Sequence, residues 1–262
     1  MTPINFHDSA NYETYTGREA SLGWRITLTS IRDPLGLDVI DAGCGGGIYT
    51  RAIAEMGAAS VVGIDSSDVM LAAARTTCIP YDSVQFVHAA VDAVPVPDHS
   101  GDLILARALV HHLPDLQRFA EEMHRLLRPD GTLIIQDRTP ADVNQIPSPE
   151  NLRGYFFERY PDLRKTDLGR RPELGTIVTA LERAGFTQVS TSTIDEVRTI
   201  HRDRKALMED LHSRKGRSIL HDLDDAQLED LASYVSDRVP ATGPIIERDR
   251  WTLWVATKTS TT

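Results

Sequence analysis

The sequence has little cysteine and no long apolar run. Cys44 and Cys78 are the two cysteines among 262 residues, and their spacing matches no metal-binding motif. No stretch approaches the roughly twenty apolar residues that span a bilayer, and the first residues lack a basic segment followed by an apolar one. We therefore expect no disulfide framework, no membrane partner and no signal peptide, and we expect a cytoplasmic location.

Positive charge is also scarce. The chain carries 28 lysine and arginine residues against 38 acidic residues, which gives a net charge of −10. This balance opposes general binding to nucleic acid or to an anionic membrane. Because 41% of the residues are apolar, the chain can bury a full hydrophobic core. The composition is therefore that of a globular protein without a general affinity for polyanions.

Glycine is concentrated at one place, directly after a short apolar run. Residues 39–40 are typical of a buried parallel strand, and the apolar spacing over residues 48–56 predicts a helix. Gly43, Gly45 and Gly47 lie between these two elements. Glycines at such a turn allow the backbone to approach a ligand closely, because there is no Cβ to collide with it.

Two acidic residues narrow the class of ligand. A dinucleotide fingerprint would place its third glycine where this chain has Ile48. Asp41 instead ends the first strand, where a carboxylate repels a pyrophosphate but suits an ammonium or a sulfonium group. Asp65 ends a second apolar run about twenty residues after the turn, the position at which an acid binds a ribose diol. The alternative is a glycine turn that only joins a strand to a helix.

These motifs resemble those of the class I S-adenosylmethionine-dependent methyltransferases, in the small-molecule branch that includes the type 11 and ubiquinone-biosynthesis-like enzymes. The resemblance extends over residues 38 to 137. It implies an α/β fold, with a Rossmann-like, doubly wound, seven-stranded sheet whose last strand is antiparallel and with a helical cap insertion. It also implies S-adenosyl-L-methionine as the cofactor and S-adenosyl-L-homocysteine as the product. The implied cofactor-binding residues are Asp41, Gly43, Cys44, Gly45, Gly47, Asp65, Ser66, Met70, Ala90, Val91, Ala106 and Arg107.

The chain departs from the family after its third strand. Relatives usually place Gly-Asp there, with the aspartate accepting the adenine amino group, whereas this chain has Ala89 and Ala90. Adenine would then be held by the backbone at Val91, by Asp92 or by packing. The Asn/Asp-Pro-Pro-aromatic motif of nucleic-acid amino-methyltransferases is also absent, which removes that branch.

We expect four segments along the chain. Residues 1–36 form an N-terminal helical lid and residues 37–138 the cofactor-binding core. Residues 139–171, rich in proline, aromatic and basic residues, form a cap insertion. Residues 172–262 complete the fold, with a sixth strand over 186–194, helical structure over 196–240 and a final strand over 251–256.

The candidate catalytic residues are His111 and His112, which follow the fourth strand. A neutral imidazole can accept a proton near pH 7, and a protein base is needed only if the acceptor arrives protonated. The alternative is that the pair caps the next helix. His221 lies beside several acids, but acids at a helix start are ordinary, so we expect no metal.

The candidate substrate-binding residues combine aromatic and basic side chains. Arginines beside aromatic walls favour a flat acceptor that bears a carboxylate or a similar anion. The alternative is that the arginines pair with Glu158, Asp162 and Asp167 on a solvated face. The candidates are Tyr12, Tyr15, His111, Arg138, Arg153 and Tyr155.

The sequence thus predicts methyl transfer by in-line displacement to a soluble small-molecule acceptor, carried out by a monomer or a homodimer. Two other functions stay open. One is a regulatory protein that binds the methyl donor or its product without catalysis, and the other is a protein or peptide methyltransferase.

Overall fold

The computed structural model describes residues 19–260 and divides into two compact units. The larger one, called the core unit here, contains residues 19–137, 172–193 and 252–260. The other, called the inserted unit, contains Arg138–Arg171 and Ile194–Trp251. The chain therefore leaves the core unit twice and returns to it twice.

The strands form one seven-stranded sheet with the order β3-β2-β1-β4-β5-β7-β6. Strands β1 to β5 pair in parallel, and β7 pairs antiparallel with β5. The predicted fold class, with its antiparallel last strand, is confirmed. The strands are β1 (Asp38–Ala42), β2 (Ser60–Asp65), β3 (Val84–His88), β4 (Gly101–Arg107), β5 (Leu127–Asp137), β6 (Thr187–His201) and β7 (Ile245–Thr257).

The helices alternate with the strands through the core unit and continue in the inserted unit. Those of the core unit are α1 (Leu22–Ile31), α2 (Ile48–Glu55), α3 (Asp68–Thr77), α4 (Leu116–Leu126) and α8 (Leu174–Arg183). Those of the inserted unit are α5 (Pro140–Val143), α6 (Leu152–Arg159), α7 (Pro161–Gly169), α9 (Arg204–Ser213) and α10 (Asp225–Ser236). Within residues 19–260, no helix has both the length and the apolar character needed to cross a membrane.

Helices cover both faces of the parallel part of the sheet. On one face, α1 and α2 contribute Trp24 and Ile53 to a buried cluster with residues of β1 and β4. On the other, α4 and α8 contribute Phe119 and Leu181 to a second cluster. Alternate strand residues point to opposite faces, so a strand covered on both sides reads as a nearly continuous apolar run. This is why the first, second and fourth strands were visible in the sequence.

The inserted unit has its own apolar core. Leu152 and Phe156 of α6, Leu207 of α9 and Leu231 of α10 are fully buried together. The helical character expected for the stretch from 139 to 171 is present as α5, α6 and α7.

The expectation of helical structure from residue 196 onward was wrong at its start. Strand β6 continues to His201, and the first helix after it begins at Arg204. Threonine, valine and isoleucine recur along β6, and β-branched side chains favour a strand. Strand β7 likewise begins at Ile245 rather than at Trp251.

Candidate active site

The carboxyl ends of the parallel strands gather at one edge of the core unit. Strand β1 leads into the glycine turn, β2 ends at Asp65, β4 at Arg107 and β5 at Asp137. Because neighbouring parallel strands end at the same edge, these residues share one side of the sheet. Open α/β sheets bind ligands at this edge.

The glycine turn uses backbone conformations that other residues rarely adopt. Gly43, Gly45 and Gly47 all have positive φ angles, of 72°, 51° and 80°. A Cβ on Gly43 would lie 2.8 Å from the Leu109 side chain, and one on Gly47 would lie 2.9 Å from the Ala74 backbone. A Cβ on Gly45 would meet no atom of residues 19–260 within 4 Å. Gly43 and Gly47 therefore serve internal packing, whereas Gly45 faces open space that a ligand can use.

Asp65 fixes this turn from the neighbouring strand. Its two carboxylate oxygens accept hydrogen bonds from the backbone N–H groups of Gly45 and Ser67, each at 2.9 Å. Ser67 in turn caps α3 by accepting from Met70 N. Each carboxylate oxygen has a further lone pair, so the same side chain can also accept from a diol. Asp65 thus has a structural role that the sequence did not reveal.

Asp41 is a buried carboxylate without an ion pair among residues 19–260. It is 2% exposed and accepts a hydrogen bond of 2.6 Å from the Thr50 hydroxyl. Burial raises the pKa of Asp41 to about 6, and repulsion from the Asp65 carboxylate adds to the shift against the opposing hydrogen bond from Thr50. A cation placed beside both carboxylates would relieve this unfavourable charge.

The other predicted cofactor-binding residues surround the same strand ends. Met70, Val91 and Ala106 are buried, and the Arg107 guanidinium stacks 4.3 Å from the centre of the Tyr49 ring. Cys44 is a free, buried cysteine whose thiol pKa is raised mainly by burial, so it packs as a protonated side chain. The remaining two, Ser66 and Ala90, are exposed.

His111 forms a hydrogen-bonded pair with a buried acid. Its Nδ1 lies 2.8 Å from Oδ2 and 3.0 Å from Oδ1 of Asp137, which is 0% exposed. The short 3-10 helix Val110–His112 holds the imidazole, and the His112 ring packs against it at 3.9 Å. The structure therefore distinguishes the two predicted histidines, since His111 contacts the carboxylate and His112 is exposed.

The loop that carries His111 is strained. Ala108, three residues earlier, has a φ of 51°, a conformation that costs a non-glycine residue about 1–2 kcal/mol. A hydrogen bond of 2.8 Å from its N–H to the Gln136 carbonyl holds it. Strain of this kind persists where the surrounding structure fixes a functional loop.

Sequence reasoning missed three residues at this edge: Thr50, Leu109 and Asp137. Asp137 was detectable, because it directly follows an apolar strand in the same way as Asp65. Thr50 and Leu109 leave no comparable pattern, because their roles depend on contacts with residues distant in the sequence.

The predicted substrate residues fall into different places. Tyr12 and Tyr15 lie outside the described residues, so their role and that of the lid stay predictions. Arg138 and Arg153 border one cleft of the inserted unit. Tyr155 packs instead against the apolar cluster of that unit, because positions two apart on a helix point to different sides.

Three arginines of the insertion pair with Asp167, one of the acids named in the alternative prediction, but the pairing is buried. Asp167 accepts hydrogen bonds from Arg153, Arg170 and Arg171, but it is 0% exposed. These ions form a buried network and not a solvated face.

One group of possible metal ligands occurs in the described part of the chain, namely His201, Asp210 and Glu247. Arg217 already bonds both carboxylates, with Nη2 at 2.6 Å from Asp210 and 2.7 Å from Glu247. An arginine in this position supplies the positive charge that a metal would bring. The acids near His221 have ordinary roles too, because Asp224 caps α10.

The residues at the glycine turn fit S-adenosylmethionine. Gly45 leaves a place for the ligand where a side chain would otherwise stand. Asp41 and Asp65 present two carboxylates to a cationic molecule that carries a ribose. A polyphosphate would meet repulsion here, so the geometry agrees with the ligand class predicted from the sequence.

Comparison with known proteins supports this assignment. Residues 40–135 match the family described as a methyltransferase domain. The chain is 27% identical to the demethylmenaquinone methyltransferase of Lysinibacillus sphaericus over 57% of its own length and 65% of the relative. It is 32% identical to the 2-methyl-6-phytyl-1,4-hydroquinone methyltransferase of Synechocystis sp. over 62% of its length and 50% of the relative. The chain thus spans about half to two thirds of these curated relatives.

A solved structure shows the same fold. Phosphoethanolamine N-methyltransferase 2 of Haemonchus contortus, in complex with S-adenosyl-L-methionine, superposes with a TM-score of 0.61. The match covers 98% of this chain and 60% of that chain at 17% identity. The sheet order, the glycine turn and the family match lead to one conclusion: residues 40–135 form a methyltransferase domain of the class I, S-adenosylmethionine-dependent family.

Proposed function

We propose that the chain transfers a methyl group to a small-molecule acceptor whose reacting atom carries a proton, with His111 as the general base. The observation that carries the proposal is the bond between His111 Nδ1 and the buried carboxylate of Asp137. A carboxylate at Nδ1 fixes the tautomer in which Nε2 accepts a proton, and it stabilises the imidazolium that forms.

Donor binding is assigned to the edge of the sheet. Asp41, Asp65 and the backbone of the glycine turn would hold S-adenosylmethionine, and Val91 or Asp92 would contact its adenine. When bound, this cofactor supplies an electrophilic methyl group on a positively charged sulfur. The chain's own contribution is to orient the donor, to exclude water and to place a base beside the acceptor.

The proton balance defines the acceptor class. The acceptor hydroxyl gives its proton to Nε2 of His111, and Asp137 stabilises the resulting charge. S-adenosylmethionine, held by Asp41, Asp65 and the glycine turn, would supply the methyl group to the deprotonated acceptor atom, and the electron pair of the broken carbon–sulfur bond would remain on sulfur. A ring hydroxyl meets this need, and one curated relative is named for a hydroquinone substrate. We therefore propose a hydroxyl-bearing aromatic acceptor.

The remaining assignments belong to the same proposal. Tyr12, Tyr15, Arg138, Arg153 and Tyr155 are retained as residues to test for acceptor binding. We propose that the protein acts as a monomer or homodimer in the cytoplasm, where two free cysteines are in keeping with a reducing environment. The net charge of −10 supports an acceptor that is not a nucleic acid.

Methyl transfer from labelled donor to a panel of hydroquinones, phenols and amines tests the proposal. We expect His111→Ala to lower kcat by about 10²- to 10⁴-fold, the usual contribution of a general base. Donor affinity measured by calorimetry should stay unchanged. Asp137→Asn should lower kcat and alter its dependence on pH, since Asp137 positions His111 and stabilises its charged form.

His112→Ala is the matched control, because His112 neighbours His111 and is exposed. It should keep kcat within a few-fold of wild type. Normal turnover by His111→Ala would overturn the role of the base. Donor binding without transfer to any acceptor would indicate the regulatory alternative, and labelling confined to protein in a lysate would indicate a protein methyltransferase.

A further inference from the structure

The inserted unit contains a cleft lined by charged residues. Its volume is about 180 Å³. All its lining residues belong to the inserted unit. The charged ones are Arg138, Asp142, Glu150, Arg153, Asp195, Arg248, Asp249 and Arg250.

The acids of the cleft are already engaged. Asp195 accepts two hydrogen bonds from Arg250, at 2.8 and 2.7 Å, and Glu150 accepts one from Arg248 at 2.9 Å. Asp249 pairs with Arg138 at 2.7 Å. Asp142 closes the capping box of α5 with Thr139. Asp249 also attracts Arg153, but within residues 19–260 none of these four carboxylates accepts a hydrogen bond from it.

Arg153 shares its one acid with other arginines. Its Nη1 lies 2.8 Å from Oδ2 of Asp167, while Arg170 and Arg171 bond Oδ1 of the same carboxylate at 3.1 and 2.7 Å. Three guanidinium groups thus share the Asp167 carboxylate. The bond to Asp167 is also the single hydrogen bond of Arg153 among residues 19–260, and Arg153 lines the cleft.

The charged form of the Arg153 guanidinium is disfavoured at this position. Burial lowers the pKa of this guanidinium to about 9, and the neighbouring Arg138 adds to the shift. Arg138 is itself held in place between Asp249 and the Trp251 ring, whose centre is 4.1 Å away. Two guanidinium groups in fixed positions beside an open space form a preorganised site for an anion.

We propose that this cleft binds a small oxyanion, a carboxylate or phosphate group, through Arg153 and Arg138. Planar guanidinium groups match the two oxygens of such a group and can donate to both at once. Ile146, which is 84% exposed, also borders the cleft, so an apolar part of the same ligand would find a contact there. The site lies in the inserted unit alone, and its existence does not depend on methyl transfer.

Binding of benzoate and of inorganic phosphate to the full chain tests the proposal, with ionic strength held constant by sodium chloride. Thermal melting and calorimetry should show saturable binding of at least one probe. Arg153→Gln should weaken that binding at least tenfold. Arg159→Gln is the matched control, because Arg159 pairs with Asp230 and does not line the cleft, and it should bind as wild type does.

Arg153→Lys covers the case in which the glutamine variant folds poorly. It keeps a positive charge opposite Asp167 but loses the planar fork, so it should melt normally without a probe and bind the probe more weakly. The proposal is overturned if neither probe stabilises the wild type more than chloride does, or if both Arg153 variants bind like the wild type. No arm needs donor or acceptor, so failure here leaves the proposed methyl transfer unaffected.

Discussion

Asp41 in the core unit and Glu247 in the inserted unit are equally buried, each 2% exposed, but their surroundings differ in charge. Asp41 is hydrogen-bonded by Thr50 and lies near a second carboxylate, Asp65, while Arg107 exerts the weakest of the influences on its pKa. Glu247 contacts Arg217, Arg198 and His201. Burial alone would raise the pKa of both acids. That of Asp41 rises to about 6, whereas the basic neighbours hold that of Glu247 well below its usual range.

The difference separates a carboxylate that the fold neutralises from one that it leaves for a ligand. A buried acid with cationic partners stabilises its own unit, and removal of either partner leaves an uncompensated charge. A buried acid without such a partner costs stability, and a protein retains that cost where a bound cation can offset it. On this argument, Glu247 is structural, and the contrast supports the proposal that Asp41 faces the donor's cationic group.

The largest effect is expected at Glu247. Glu247→Gln removes the charge but keeps the shape, and it leaves Arg217 and Arg198 buried without their shared acid. Breaking a buried ion pair costs about 3–5 kcal/mol, so urea unfolding at pH 7 should show a loss of this size. Because the folded-state pKa is depressed, the stability contributed by Glu247 is present above its unfolded pKa and is lost as the pH falls. The deficit of the variant should therefore shrink in acid.

Glu209→Gln provides the comparison for that variant. Glu209 is exposed and lies 3.8 Å from Lys205, and such surface pairs contribute less than about 1 kcal/mol. An equal loss of stability in the two glutamine variants would show that the buried network does not stabilise the inserted unit.

The contrast between the two units also explains how much of the fold and of the candidate site could be predicted from the sequence. The core unit was predictable because its strands are apolar runs ended by glycines and acids, and these patterns are local. Gly43, Asp41 and Asp65 all lie at the edge where the motifs placed them. The position of Asp137 at a strand end was visible in the sequence, but its pairing with His111 appears only in three dimensions.

The inserted unit was less predictable because buried ion pairs accompany its apolar core. Residues 247–250 of β7 read Glu-Arg-Asp-Arg, a pattern typical of a surface turn. In the structure, Glu247 pairs with Arg217, Asp249 with Arg138 and Arg250 with Asp195. No local pattern indicates partners that lie so far apart in the sequence, so this part of the strand was missed.

The next effect in size concerns Asp41. Asp41→Asn should stabilise the ligand-free protein at pH 7 by about 1–3 kcal/mol, since about two pKa units correspond to about 3 kcal/mol. The pKa of Asp41 is raised, so its favourable contribution is complete below the unfolded value of 3.8 and is lost as the pH rises through about 6. The gain of the variant should therefore be absent near pH 4 and reach its full size above pH 6, as followed by urea unfolding.

The same Asp41→Asn variant should bind the donor more weakly, although it is more stable. Calorimetry should show that Asp41→Asn weakens S-adenosylmethionine about tenfold at pH 7, and that wild-type affinity rises with pH through about 6 while the variant's does not. A variant that is both more stable and equally good at binding would show that Asp41 does not face the donor's cationic group.

The smallest effect on stability is expected at Gly45. A second glycine, Gly36, serves as a control that separates the effect of a substitution on ligand binding from its effect on the backbone. Gly45 and Gly36 both have positive φ angles, of 51° and 73°, and in the described part of the chain neither would bring an added Cβ within 4 Å of another atom. Alanine at either position should cost about 1 kcal/mol in urea unfolding, because the left-handed conformation disfavours any Cβ. The Cβ on residue 45 would also occupy the space assigned to the donor, so Gly45→Ala should lose at least tenfold in donor affinity while Gly36→Ala loses none. If the two variants bind the donor equally well, the donor does not contact the backbone at Gly45. The uncompensated charge of Asp41 would then have to serve a different ligand.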